Sequence, residues 1–199
     1  MKNIFKRRFL LFTVILLLPV LFSSCGYNSL VTLDEEVSAA WSQVENVYQR
    51  RMDLIPNLVE TVKGYAAHEE ETFKAIADAR SRAGGVMKVD EDLLNDPEAF
   101  ARFQQAQDSL GSALQRLLMV TENYPELKAD QQFLALQNQL EGTENRIAVE
   151  RKRYNDAVKV YNTKIRRFPT VLTAKLFGFE PRPYFKASEG AENAPKVEF

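Results

Sequence analysis

Apolar residues recur along this chain at helical rather than strand spacing. From Val37 a heptad runs through Trp41, Val44, Tyr48, Arg51, Ile55, Leu58, Val62 and Tyr65, in alternating steps of four and three. Thr32 with Glu35 three residues on reads as a capping box, and Asp34 and Glu36 suit a helix N-terminus. Pro56 falls inside the run without changing its phase, which predicts one long helix over about 33–66, kinked between Met52 and Pro56. A second stripe, Phe133, Leu136, Leu140, Ile147, Tyr154, Val158, Tyr161 and Ile165, predicts another long helix over about 126–167, after a turn at Tyr124, Pro125 and Glu126. Between them, Phe73, Ile76, Ala77 and Arg80 mark a shorter helix over about 69–83, with Gly84 and Gly85 as its C-cap and a surface loop to Asp96. Asp96, Pro97 and Glu98 then start a helix carrying Phe100, Phe103, Leu110, Leu114 and Leu117. The expected fold class is all-α: an antiparallel up-down bundle of about four helices over 33–168, with the two long helices as the antiparallel pair. Pro169 should stop the last long helix. Thr170 should cap a short amphipathic helix ending near Gly178, and the chain should finish as a disordered tail within 169–199.

The N-terminus breaks this pattern. Lys2, Lys6, Arg7 and Arg8 precede a run from Phe9 to Leu21 that is apolar except for Thr13 and Pro19. That run is short for ~30 Å of hydrocarbon and fits an export signal. Ser23, Ser24 and Cys25 resemble the lipobox of bacterial lipoproteins, with Phe22 where Leu is usual. The reading is a signal peptide over 1–24, lipid on Cys25, and a linker over 25–32. Gly26 and Tyr27 carry no acidic sorting residue, so by analogy the protein is expected at the periplasmic face of the outer membrane.

Removing residues 1–24 takes four of the 26 basic residues and none of the 27 acidic ones, leaving a net charge of −5. An acidic domain of this kind is a poor nucleic-acid ligand and a poor electrostatic binder of anionic lipid, so no nucleic acid is expected and attachment falls to the lipid. Cys25 is the single cysteine and His68 the single histidine. Lipidation of the first leaves no thiol for a disulfide, a metal or nucleophilic catalysis.

Candidate chemistry is correspondingly sparse. His68 and Glu69 begin an H-E-x-x-H pattern whose fifth position is Thr72, so the second zinc ligand is missing and neither metal nor cofactor is expected. The densest polar group is Arg50, Arg51, Asp53 and Asn57 around the proline. Arg51 occupies a core heptad position, where it needs a partner from the opposite long helix such as Glu150. Tyr154 with Asn155 and Tyr161 with Asn162 repeat at a spacing of seven and share one stripe. They read either as core residues fixing the helix register or as a groove for a ligand or partner.

The segment Tyr27, Asn28, Leu30, Val31, Trp41, the block Gln49 through Glu69, and the later block Tyr154, Asn155, Ala157, Val158, Tyr161, Asn162, Ile165, Phe168, Pro169, Phe177, Gly178, Phe179 and Phe185 resemble the LemA family. The resemblance implies a membrane-anchored, antiparallel helical bundle and names no reaction. Many members resemble one another in keeping an N-terminal membrane helix where this chain has a lipobox. The expected function is therefore a non-enzymatic scaffold or interaction module with an envelope protein as partner. The alternative is a hydrolase or small-ligand-binding domain at Arg50–Asn57, with Asp53 and Glu69 as acid and base. On one straight helix these carboxylates would stand ~24 Å apart, so that reading requires a helix break after Gly64.

Overall fold

The computed structural model describes residues 2–89 and 93–186, with side chains for 26–87 and 93–186. The described residues hold six helices and no strand: α1 (Lys2–Lys63), α2 (Glu70–Val89), α3 (Pro97–Thr121), α4 (Pro125–Lys128), α5 (Gln131–Arg166) and α6 (Thr170–Phe177). The side chains of residues 2–25, which include the expected export signal and Cys25, and residues 187–199, where a disordered tail is expected, lie outside the described residues. Among the described residues no helix is long and apolar enough to cross a membrane.

Trp41 meets Tyr154, Arg51 meets Glu144 and Tyr65 meets Asp130, so each step forward along α1 is an equal step back along α5. That antiparallel pair is the spine, and α2 packs on α3 beside it. Nearly all of the α1 heptad is buried. Tyr65 is the exception, exposed just past the end of the helix with its hydroxyl donating to Asp130 Oδ2 at 3.0 Å.

Several boundaries differ from expectation for local reasons. α1 runs unbroken through 25–32, and Thr32 donates its hydroxyl to the Asn28 carbonyl at 3.0 Å instead of capping a helix start. The pair Gly84 and Gly85 lies inside α2 rather than at its end. A Cβ on Gly84 would come within 2.9 Å of Met52 Cε, so its smallness lets α2 approach α1. The stretch before Asp96 is not wholly surface, since Leu93 is buried in the core. Asp96 does cap α3, accepting from the Glu98 amide at 2.8 Å, with Pro97 in the first turn. The second long helix starts at Gln131, where Asp130 accepts from the Phe133 amide at 2.7 Å, and 125–128 forms the separate α4. Thr170 is buried and makes no cap at the start of α6, whereas Gly178 ends that helix in the left-handed region at φ 74°.

Pro56 does not interrupt α1. It lacks the N–H that would serve the Met52 carbonyl, and Arg80 Nε from α2 donates to that oxygen at 3.2 Å.

Candidate functional site

Two apolar clusters fill the interior. One gathers Leu30, Val37, Trp41, Tyr48, Phe100, Phe103, Tyr154, Tyr161 and Phe185. The other gathers Ile55, Leu58, Phe73, Ile76, Leu110, Leu117, Phe133 and Leu140. At their junction lies a polar layer of Arg51, Gln107, Thr143 and Glu144 from α1, α3 and α5.

Arg51 is 3% exposed. Its Nη1 donates to Glu144 Oε1 at 3.1 Å, and its Nη2 donates to both the backbone oxygen (3.1 Å) and the side-chain Oε1 of Gln107. The guanidinium also lies 5.0 Å from the Tyr48 ring centroid. The sequence expectation of a paired charge therefore holds, but its partner is Glu144 and not Glu150, which pairs with Arg153 at 2.8 Å. Helix periodicity assigns a face to each residue and leaves the axial register between two helices open. The Glu144 side chain is 43% exposed, so this pair is screened on one side and is worth less than a fully enclosed one. Burial raises the Tyr48 hydroxyl pKa above its ordinary value, against the lowering influence of Arg151 and Arg51.

The layer floors an open groove of about 840 Å³ between α3 and α5, lined by Gln104, Gln105, Asp108, Ser112, Glu144 and Arg151. Arg151 reaches Asp108 at 3.9 Å across it. Two donors of the floor, Arg51 Nε and Gln107 Nε2, are buried without an acceptor from the described residues. At the rim Gln104 bonds both backbone groups of Lys186, donating at 2.9 Å and accepting at 3.2 Å. The groove thus offers donors and acceptors of both charges. Gln107 went unread in the sequence, although its position continues the Phe100, Phe103, Leu110 stripe and so marks a polar residue in a core slot.

Asn155 and Asn162 grip an extended strap, residues 179–186. Asn162 donates to the Arg182 carbonyl at 2.8 Å and accepts from its amide at 2.9 Å. Asn155 does the same for Phe185, at 3.1 and 2.9 Å. Seven helical residues rise ~10.5 Å and three extended ones ~10 Å, so the two amides match the strap's repeat. Tyr154 donates its hydroxyl to the Pro183 carbonyl at 3.1 Å, and burial holds its pKa well above the ordinary value. Tyr161 is buried beneath Arg182, whose guanidinium carbon is 5.9 Å from the ring centroid. The strap carries Phe185 into the aromatic core, 4.8 Å from Phe100 and 5.5 Å from Tyr154 between ring centroids. Arg182 binds Asp34 of α1 at 2.7 Å and also donates to Asn95. The asparagines therefore register the strap, not the α1–α5 pair. Neither Arg182 nor Phe185 stood out in the sequence as part of this arrangement.

The polar group around the proline is dispersed. Arg50, Asp53 and Asn57 are exposed. Asp53 accepts from Gln49 at 2.7 Å, and the Asn57 carbonyl accepts from Thr61 at 2.8 Å. The chain does turn after Lys63, the break that an acid–base pair at Asp53 and Glu69 requires. Glu69, however, accepts from the Tyr124 hydroxyl at 3.3 Å while Asp53 stays with Gln49 on α1, so the turn gives the two carboxylates separate partners. His68 is exposed in that turn. No group of three or more His, Cys, Asp or Glu among the described residues is placed to hold a metal.

Residues 40–199 match the LemA family. Magnetosome protein MamQ 2 of Paramagnetospirillum magneticum is 31% identical over 179 residues, covering 80% of this chain and 64% of the relative. Magnetosome protein MamQ of Magnetospirillum gryphiswaldense is 30% identical over 178 residues with the same coverage. Protein LemA of Metamycoplasma hominis is 26% identical over 162 residues, covering 81% of this chain and 69% of the relative. The chain thus spans somewhat under two thirds of the length of the magnetosome proteins it matches.

Proposed function

The chain belongs to the LemA family, and we propose that it works in the cell envelope as a membrane-tethered, non-enzymatic interaction module. Residues 1–24 direct export, Cys25 carries the lipid, and the helical domain stands at the periplasmic face of the outer membrane. The family and its relatives support the architecture. The tether rests on the cationic start, the apolar run and the lipobox-like Ser23, Ser24 and Cys25.

The observation that carries the interaction role is the polar layer under the α3–α5 groove. Burying Arg51 between two apolar clusters costs free energy that a purely structural bundle avoids with another leucine. Here the charge is spent beneath an open surface of amides, hydroxyls and one ion pair. Such a surface fits a hydrated polar segment of an envelope protein, held by hydrogen bonds with bridging water.

A photo-crosslinking residue at Ser112, inside the groove, tests this in the native envelope with the full chain. The expected outcome is one discrete adduct from Ser112 and none from a matched probe at exposed Ser42 on α1. Equal labelling at both sites, or none at Ser112, contradicts the assignment of the groove.

A further inference from the structure

The end of the molecule nearest the N-terminal apolar run carries an apolar face that no described residue covers. α6 turns Thr170, Thr173 and Ala174 inward, where they pack on α1 and α5. Thr173 Oγ1 lies 3.4 Å from where a Cβ on Gly26 would stand, and the Phe177 ring centroid is 4.8 Å from that of Tyr27. The opposite side presents Phe168, Leu172 and Leu176, with Phe168 81% and Leu176 76% exposed. Leu172 and Leu176 stand four apart as a stripe on one outward face of α6, and Phe168 is exposed in the turn just before it. Arg167 and Lys175 are exposed beside it.

We propose that α6 and the Phe168 turn rest in the headgroup layer of an anionic bilayer, as a second contact beside the N-terminal tether. The inference rests on reading that N-terminal segment as the membrane attachment. Placement selects lipid as the occupant. α6 packs at Gly26 and Tyr27, five residues or ~7 Å along α1 from Leu21, where the apolar run ends. A lipid on Cys25, the residue next to Gly26, sets the stripe at the height of the headgroups. A short helix with an apolar face and flanking cations lies in that layer by burying its face among the upper acyl chains. The cations stand out against a mature chain that is otherwise acidic, and anionic headgroups complement them. The lipid fixes one point at the surface, and a second contact there orients the bundle relative to it.

The test uses the full chain reconstituted into phosphatidylcholine–phosphatidylglycerol vesicles whose acyl chains carry bromine, a contact quencher of tryptophan. Native Trp41 is buried in the core and supplies a constant background. Leu176→Trp places a reporter on the stripe, and Leu134→Trp places one on exposed α5 near the opposite end. The expected result is emission from the Leu176→Trp reporter cut at least twofold by the brominated lipid, with the Leu134→Trp reporter unchanged. Adding Arg167→Glu and Lys175→Glu should weaken that quenching. Equal quenching at positions 176 and 134 in protein that stays vesicle-bound through an alkaline carbonate wash overturns the proposal and leaves the tether standing. Failure to stay bound overturns both. An emission blue shift at position 176 that grows with protein concentration in detergent, without bromine quenching in vesicles, assigns the stripe to a second copy and likewise overturns it. Undiminished quenching on pure phosphatidylcholine overturns the anionic preference.

Discussion

Pro56 removes one backbone donor from the middle of α1, and Arg80 supplies a replacement from another helix. The bond to the Met52 carbonyl is part-buried, so losing it costs about 1 kcal/mol. The exchange accompanies a helix that runs on through the proline, and it makes the two residues energetically coupled. Arg80→Ala should lower stability by about 1 kcal/mol in the native background and by much less in Pro56→Ala, where residue 56 regains its own donor. Urea unfolding of the four proteins of this double-mutant cycle measures the coupling, and additive effects would show that Arg80 acts elsewhere. At this scale the sequence revealed that Arg51 needs a partner, because a charge in a heptad core slot is costly unpaired. It did not reveal Glu144 or Gln107, because face and axial register are separate variables and only the first is written in the periodicity.

The helices were legible where a heptad repeated many times, as in α1 and α5, and less so where a single residue type had two meanings. Gly84 and Gly85 carry the same signal for a C-cap and for close helix approach, and only the packed partner Met52 decides between them. Gly85 has nothing within 4 Å of its would-be Cβ and sits inside α2. Gly85→Ala should therefore stabilise the protein by about 0.5–1 kcal/mol, since alanine loses less backbone entropy in a helix. A thermal melt shows this as a rise of about 1–4 °C for a chain of this size. A fall would restore the cap reading. The strap at 179–186 was not legible at all. An extended segment lying on a helix has no period of its own, and the Asn155 and Asn162 spacing that receives it looks like any other heptad pair until the strap is seen.

For the whole molecule, the pieces divide by position along the spine. The far end, around α2, α4 and the start of α5, is a closed apolar cluster. The middle holds Arg51 and the groove proposed to meet a partner. The near end gathers the strap, the aromatic cluster, α6 and the helix leading back to Cys25. From Gly26 to Lys63 the spine is ~57 Å long, so a chain held at Cys25 carries its groove well clear of the headgroups. The proposed attachment at that one cysteine would set which end faces lipid and what remains free for a partner. Intact-mass and N-terminal peptide spectrometry of the protein taken from its own membranes tests it most directly. The expected result is a mature chain beginning at Cys25, with residues 1–24 absent and the mass of a diacylglyceryl group on the thiol. A chain that begins at Met1 with an unmodified Cys25 contradicts it.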